Sequence, residues 1–225
     1  MLKKIREKDL VPLVKKYFVK QGYIVFTEQY VGFQRADILA IRLDMNEVKK
    51  RIEHGITYIP PRTFFRMVRF LDKYGELTVK ELAEKLGYST KYVSSIISVV
   101  NPLYLYREQG RVRKIRDYTP YTAEIIGVEV KVKDWKNGLV QAHHYLYAVN
   151  KSYLAICSKT FDKIPDSVLK WIKEKGLGLL IINKDNTINE VIKAKKQGPI
   201  SKIAYYSLSE RLWDKVLKML DHLTR

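Results

Sequence analysis

The chain has 225 residues, 46% of them hydrophobic and 29% charged, which is ample for a packed core and excludes an intrinsically disordered polymer. Its formal net charge of +18 sets up a long-range field that attracts polyanions, of which nucleic acid is the commonest. Cys157 stands alone, so no disulfide framework forms within the chain, and with no apolar run of about 18 residues and no cleavable leader a reduced, cytoplasmic protein without a membrane span is expected.

In chain order, residues 7–21 carry Leu10, Leu13, Val14, Tyr17 and Phe18 at helical spacing, and Gly22 supplies a stop. Pro12 fits this helix only if it begins just before the proline. Residues 23–31 and 35–42 alternate as two strands turning at Gly32, and Asp37 lies in the second. Residues 45–53 read as a polar helix, after which Pro60-Pro61 interrupts the chain.

Residues 62–118 have the pattern of a separate module. A first helix over 63–73 turns Phe64, Met67, Val68 and Leu71 inward. Thr78 and Glu81 form a capping-box pattern for a second helix through Leu86, and Ser89 or Thr90 caps a third that runs to about Val100. Residues 103–117 alternate as a hairpin turning at Gln109-Gly110. Three helices followed by a basic hairpin resemble a winged helix-turn-helix domain. That resemblance implies that Ser89, Thr90, Lys91, Tyr92 and Ser95 face the major groove, while Arg111, Arg113, Lys114 and Arg116 reach phosphates or the minor groove.

The second half alternates strands and helices: strands at 125–133, 152–157, 177–183 and 187–195, with helices at 138–149, 167–175 and 209–222. The expected architecture is an α/β sheet flanked by helices, with a mainly α module inserted into it. In domain terms, 1–44 and 119–225 form one core, 45–61 a linker with its helix, and 62–118 the insertion.

Chemistry concentrates on residues 127–133, where Val128, Val130 and Val132 take one strand face and Glu129, Lys131 and Lys133 the other. Asp37 and Glu129 can supply two carboxylates to a magnesium or manganese ion if their strands are neighbours, and the Val130 carbonyl is the natural third ligand. Lys131 can then hold or help deprotonate a water, or balance charge on a phosphate. The order helix, strand, Asp37, Glu129-Val130-Lys131, helix resembles the PD-(D/E)xK nuclease superfamily, although Ala36 stands where the motif has proline, and the resemblance implies a restriction-endonuclease-like mixed sheet flanked by helices. Gln141 and Tyr145 have the Gln-x-x-x-Tyr form of its RecB-like branches, which implies that they position substrate or catalytic groups. Similarity to archaeal Holliday-junction resolvases implies an acidic residue on the first helix, Glu7 before Asp9, with Glu28 a weaker choice.

The function so implied is a magnesium-dependent DNA endonuclease acting on duplex or branched DNA, with a twofold partner expected for double-strand or junction cleavage. The alternative is a DNA-binding transcriptional regulator that keeps the nuclease-like fold as scaffold or dimerisation domain. His143 and His144 point about 100° apart on a helix and do not readily share one ion, and Trp135 is expected to pack rather than to stack on a base. Everything depends on whether the segment between Asp37 and Glu129 leaves and re-enters the sheet at adjacent positions.

Overall fold

The computed structural model describes residues 6–223. Contact density divides the chain into two compact units: one takes residues up to Leu43 together with Thr122–Tyr205, the other Asp44–Tyr121 and the chain from Tyr206 onward.

The first unit is α/β. Helix α1 (Glu7–Lys20) leads into β1 (Ile24–Val31) and β2 (Gln34–Leu43). After residues 44–121 come β6 (Thr122–Lys131), α6 (Trp135–Tyr145), β7 (Lys151–Cys157), the short α7 (Ser158–Phe161), α8 (Asp166–Glu174), β8 (Gly178–Ile182) and β9 (Ile188–Ile192). The strands form one six-stranded sheet in the order β1-β2-β6-β7-β8-β9. β6, β7 and β8 run parallel, whereas β1, β2 and β9 pair antiparallel with their neighbours. Parallel strands need helical crossovers, which α6 and α8 provide, and the covered strands β7 and β8 are apolar nearly throughout because both their faces are buried.

Each sheet face has its own core. Leu10, Val14 and Phe18 of α1 pack with Ile38, Ala40, Val128 and Val130, while Leu139 and Ala142 of α6 pack with Leu154, Ile156, Leu177 and Leu179. The alternation expected for residues 127–133 is therefore real, with the valines beneath α1. Helix α1 begins five residues before Pro12 and carries it inside, exposed, rather than starting beside it. The ring lies on the solvent side, and the apolar stripe opposite it holds the helix in place.

Glycines set how closely the layers meet. A side chain at Gly178 would bring its Cβ to 2.1 Å from the Tyr153 ring, so only glycine lets that ring lie flat against β8. Tyr153 is anchored there by its hydroxyl, 2.6 Å from Glu190.

The second unit comprises α2 (Met45–Glu53), α3 (Pro61–Tyr74), β3 (Glu76–Thr78), α4 (Val79–Leu86), α5 (Thr90–Val100), β4 (Leu105–Glu108) and β5 (Arg111–Lys114). Its three strands form an antiparallel sheet in the order β3-β5-β4. Thr78 and Glu81 make the capping box of α4, and Ser89 caps α5 through the Tyr92 N–H. Gln109 and Gly110, both at positive φ, form the hairpin turn. Phe64, Met67, Leu71, Leu82, Ile96, Ile97 and Tyr104 fill one core.

Two domain limits differ from the sequence reading. Residues 44–61 belong to the second unit rather than to a linker, because Glu47 of α2 binds Arg116 at 2.6 Å and Ile56 and Ile59 enter its core. The closing helix α9 (Lys202–Leu223) belongs to the sheet-bearing unit only as far as Tyr205. Beyond it, Glu210 forms a fully buried pair with Arg51 at 2.5 Å and accepts the Ile59 N–H at 2.9 Å, and Trp213 donates to the Ile56 carbonyl at 2.8 Å. An apolar stripe signals a buried helix face without naming the core that receives it.

The departure and return of the intervening segment are adjacent. Leu43, the last residue of β2, pairs with Thr122, the first of β6. The next residue on each side continues the contact, the Asp44 N–H donating to the Tyr121 carbonyl at 2.8 Å. Leu43 and Thr122, 79 positions apart in sequence, thus lie on neighbouring strands.

Candidate active site

The antiparallel ladder between β2 and β6 runs out at Ile38 opposite Val128. Beyond it the Val130 N–H, which would meet a backbone carbonyl in a continuing ladder, donates instead to Asp37 Oδ2 at 2.7 Å. A side chain has replaced the ladder, and the strands part there. The register sets Leu39 opposite Gly127, so Asp37, two residues before Leu39, and Glu129, two residues after Gly127, share the face covered by α6. The N–H and C=O of one strand residue leave the same edge, so the Val130 carbonyl also opens towards Asp37.

Glu129 is only 2% exposed, and both its oxygens are engaged. Oε1 lies 2.6 Å from Lys131 Nζ, and Oε2 accepts the Tyr145 hydroxyl. That hydroxyl also stands 3.1 Å from the Arg35 carbonyl oxygen. With a single proton to donate, it serves the carboxylate, the charge-assisted and stronger partner.

Two glycines bring α6 near enough for this. A Cβ at Gly127 would fall 3.1 Å from Tyr145 Cβ and Cδ2, and one at Gly138 would fall 2.6 Å from Lys131 Cγ and 2.8 Å from Leu154 Cδ1. Strand and helix thereby approach to side-chain contact around the Glu129 and Lys131 stems. Sequence reasoning passed over both positions, although a glycine inside an alternating strand is itself a signal of close approach.

The electrostatics follow from burial and crowding. Burial first, then the negative charge of Glu129, raise the Asp37 carboxyl to about 6, against the opposing Val130 N–H and Lys131 charge. Burial pulls Lys131 down, but its hydrogen bond to Glu129 and the charges of Glu129, Glu7 and Asp37 prevail and leave it raised, so the ammonium is fixed in its charged form. Burial and the adjacent Glu129 push the Tyr145 phenol far up, which keeps it a donor.

The other expected residues fall around this centre to differing degrees. Glu7 reaches 3.7 Å from Lys131 Nζ, while Asp9 is taken by the start of α1, accepting the Arg6 N–H at 3.0 Å. Glu28, at φ +56°, faces solvent and pairs with Arg35 at 2.8 Å. Gln141 lies one turn before Tyr145, half-buried, and its Oε1 has no hydrogen-bond partner. His143 packs against Trp171 at 5.5 Å between ring centroids, whereas His144 Nδ1 meets Gln34 Nε2 at 3.0 Å, so the two histidines serve different neighbours. Trp135 is half-buried against the α6–α8 core. Among the described residues no three His, Cys, Asp or Glu side chains converge as a metal cluster; the centre offers two carboxylates and a carbonyl.

In the second unit, Thr90, Lys91, Tyr92 and Ser95 are exposed on α5, with Ser89 at its cap. Ser95 Oγ donates to the Tyr92 carbonyl at 2.8 Å. The four basic hairpin residues are not equivalent. Arg111 and Arg113 are exposed, the latter over the Tyr106 ring at 5.2 Å. Lys114 is held by Asp72 and Asp117, and Arg116 is clamped by both oxygens of Glu47 and stacked over Tyr104. Those last two are engaged in ion pairs within the unit, and Arg111 Nη1 also lies 3.8 Å from Glu76 Oε2.

Comparison of the chain with protein-family models, with curated proteins and with solved structures finds no match. No helix among the described residues is long and apolar enough to cross a membrane.

Proposed function

We propose that this protein is a magnesium-dependent DNA endonuclease of the PD-(D/E)xK type whose inserted unit is a winged helix-turn-helix DNA-binding domain. The observation that carries the reading is the meeting of Asp37 with the Glu129-Val130-Lys131 strand where β2 and β6 part, although the two carboxylates are far apart in sequence. Raising a carboxyl to about 6 beside a second carboxylate is costly in the metal-free protein, and a divalent cation would remove that cost. Two carboxylates and a carbonyl fit magnesium, which takes hard oxygen ligands and keeps several of its waters. Asp37, Glu129 and the Val130 carbonyl would hold it, and the bound ion supplies a Lewis acid that polarises the phosphoryl group and acidifies a water.

The chain's own residues define the rest. Lys131, held charged by Glu129, offers a cation to an anionic phosphate rather than a base to a water. Tyr145 fixes the orientation of Glu129, and Glu7 adds a carboxylate on the far side of Lys131. Exposed Arg111, Arg113, Lys91 and the α5 hydroxyls give the inserted unit a basic, hydrogen-bonding surface for the DNA backbone.

One observation favours the regulator alternative: both Glu129 oxygens are already satisfied by protein groups. Cleavage of plasmid, linear, single-stranded and junction DNA with magnesium or manganese separates the two readings, comparing the native chain with Glu129→Gln and Lys131→Met. Cutting abolished by either substitution is expected. Tight binding without cutting under either metal leaves the regulator.

A further inference from the structure

We infer that a pocket at the β1–β2 turn receives one unstacked nucleobase of a DNA strand whose scissile phosphate lies at the Asp37–Glu129 centre, an inference that rests on the nuclease reading. The pocket holds about 350 Å³ and is lined by Val31, Gly32, Phe33, Gln34, His144 and Tyr147. That volume sits at the small end of ligand sites, on the order of 300–1,000 Å³.

Its walls are made by a turn that the fold over-furnishes. Val31 pairs with Gln34 across the two-residue turn Gly32-Phe33, and Gly32 takes φ +64°, which the turn requires of its first position. Nothing in the turn requires an aromatic at the second position. Phe33 is nevertheless there, 97% exposed, so its ring contributes almost no packing to the fold. Across the turn, the Tyr147 ring lies 3.7 Å from where a Gly32 side chain would begin. At the other edge Gln34 Nε2 meets His144 Nδ1 at 3.0 Å, and Gln34 Oε1 is buried with no partner. Aromatic walls with an amide and an imidazole at one edge match a nucleobase, which has two apolar faces and a rim of donors and acceptors.

Position links this pocket to the carboxylates. Gln34 precedes Asp37 by three residues of β2, about 10 Å at the rise of a strand; that odd spacing would turn the two side chains to opposite faces, but at the end of the strand the Gln34 amide reaches His144 of α6 at 3.0 Å, the helix that also covers Asp37. His144 directly precedes Tyr145, whose hydroxyl holds Glu129. One DNA strand can therefore occupy both places, and the +18 charge of the chain favours such a polyanion over a basic or neutral occupant. The consequence is a substrate preference: the strand to be cut must offer an unpaired base near the phosphate, as single-stranded, gapped or branched DNA does.

The test is equilibrium binding of the full chain in EDTA, so that cleavage plays no part. Its probes are a single-stranded DNA oligonucleotide containing 2-aminopurine, the same sequence as RNA, and a duplex closed by a hairpin at both ends. Phe33→Ala should weaken binding of the single strand about 5- to 150-fold, the size of one lost base–aromatic stack, and should abolish the change in 2-aminopurine emission. Phe33→Trp should retain both, and affinity for the closed duplex should move by less than about twofold in either variant. Unchanged single-strand affinity in Phe33→Ala, or an equal loss on the closed duplex, overturns the pocket. Tighter binding of the RNA overturns the assignment to DNA. If the native chain cuts DNA with magnesium while Phe33→Ala binds normally, the pocket alone fails. If the Phe33 effect is present but no metal supports cutting, the nuclease reading alone fails.

Discussion

Replacing Asp37 by asparagine should make the metal-free protein more stable at neutral pH. Raising a carboxyl from 3.8 to about 6 corresponds to about 3 kcal/mol. Partial exposure of Asp37 brings the effect to about 1–2 kcal/mol. The folded state holds this proton more tightly than the unfolded chain, so stability falls as pH rises through the window from about 4 to about 6, and the ionised group is a net cost above it. Asparagine removes the charge beside Glu129 while its Oδ1 can still accept the Val130 N–H. Urea titrations in EDTA at pH 4, 6 and 8 should show Asp37→Asn ahead by about 1–2 kcal/mol at pH 8, and level with the native chain near pH 4. Added magnesium should stabilise the native chain and leave the variant almost unmoved. An Asp37→Asn protein that is less stable than the native chain at pH 8, or equal to it at every pH, would refute the crowded-carboxylate account.

Tyr145→Phe keeps the ring between Gly127 and α6 but removes the donor to Glu129, so we expect a loss of about 1–2 kcal/mol in stability and a fall in cleavage kcat larger than any change in KM. Gly178→Ala should cost about 3 kcal/mol or more, because its Cβ would meet the anchored Tyr153 ring at 2.1 Å; Gly127→Ala, with contacts at 3.1 Å, should cost less, and denaturant midpoints rank the two. Replacing Arg111 and Arg113 together by glutamine should lower the salt slope of DNA binding by about 2, whereas Arg116→Gln should reduce thermal stability by uncovering Glu47 and leave the salt slope unchanged.

Much of the local structure was legible because it rests on local causes. Thr78 with Glu81 marked the start of α4, Gln109-Gly110 marked its turn, and the alternation of residues 127–133 assigned the valines and the charged residues to opposite faces. Local patterns were silent where two distant surfaces compete for one side chain. Lys114 and Arg116 look like any basic hairpin residues until Asp72, Asp117 and Glu47 are brought beside them. Asp9 and Glu7 are equally acidic, and only the cap contact of the former separates them.

The sequence by itself determined the composition of the centre, Asp37, Glu129, Lys131 and Tyr145, together with the strand and helix spacings that carry them, since periodicity is a property of the chain alone. Tertiary structure decided that these residues meet. The pairing of Leu43 with Thr122 returns the chain to the sheet where it left, and the parting of β2 from β6 turns a ladder position into a carboxylate contact. It also decided which core receives the closing helix, through the buried Arg51–Glu210 pair. The physical reason is the same in each case: spacing along the chain fixes which way a side chain points, and only long-range packing fixes what it points at.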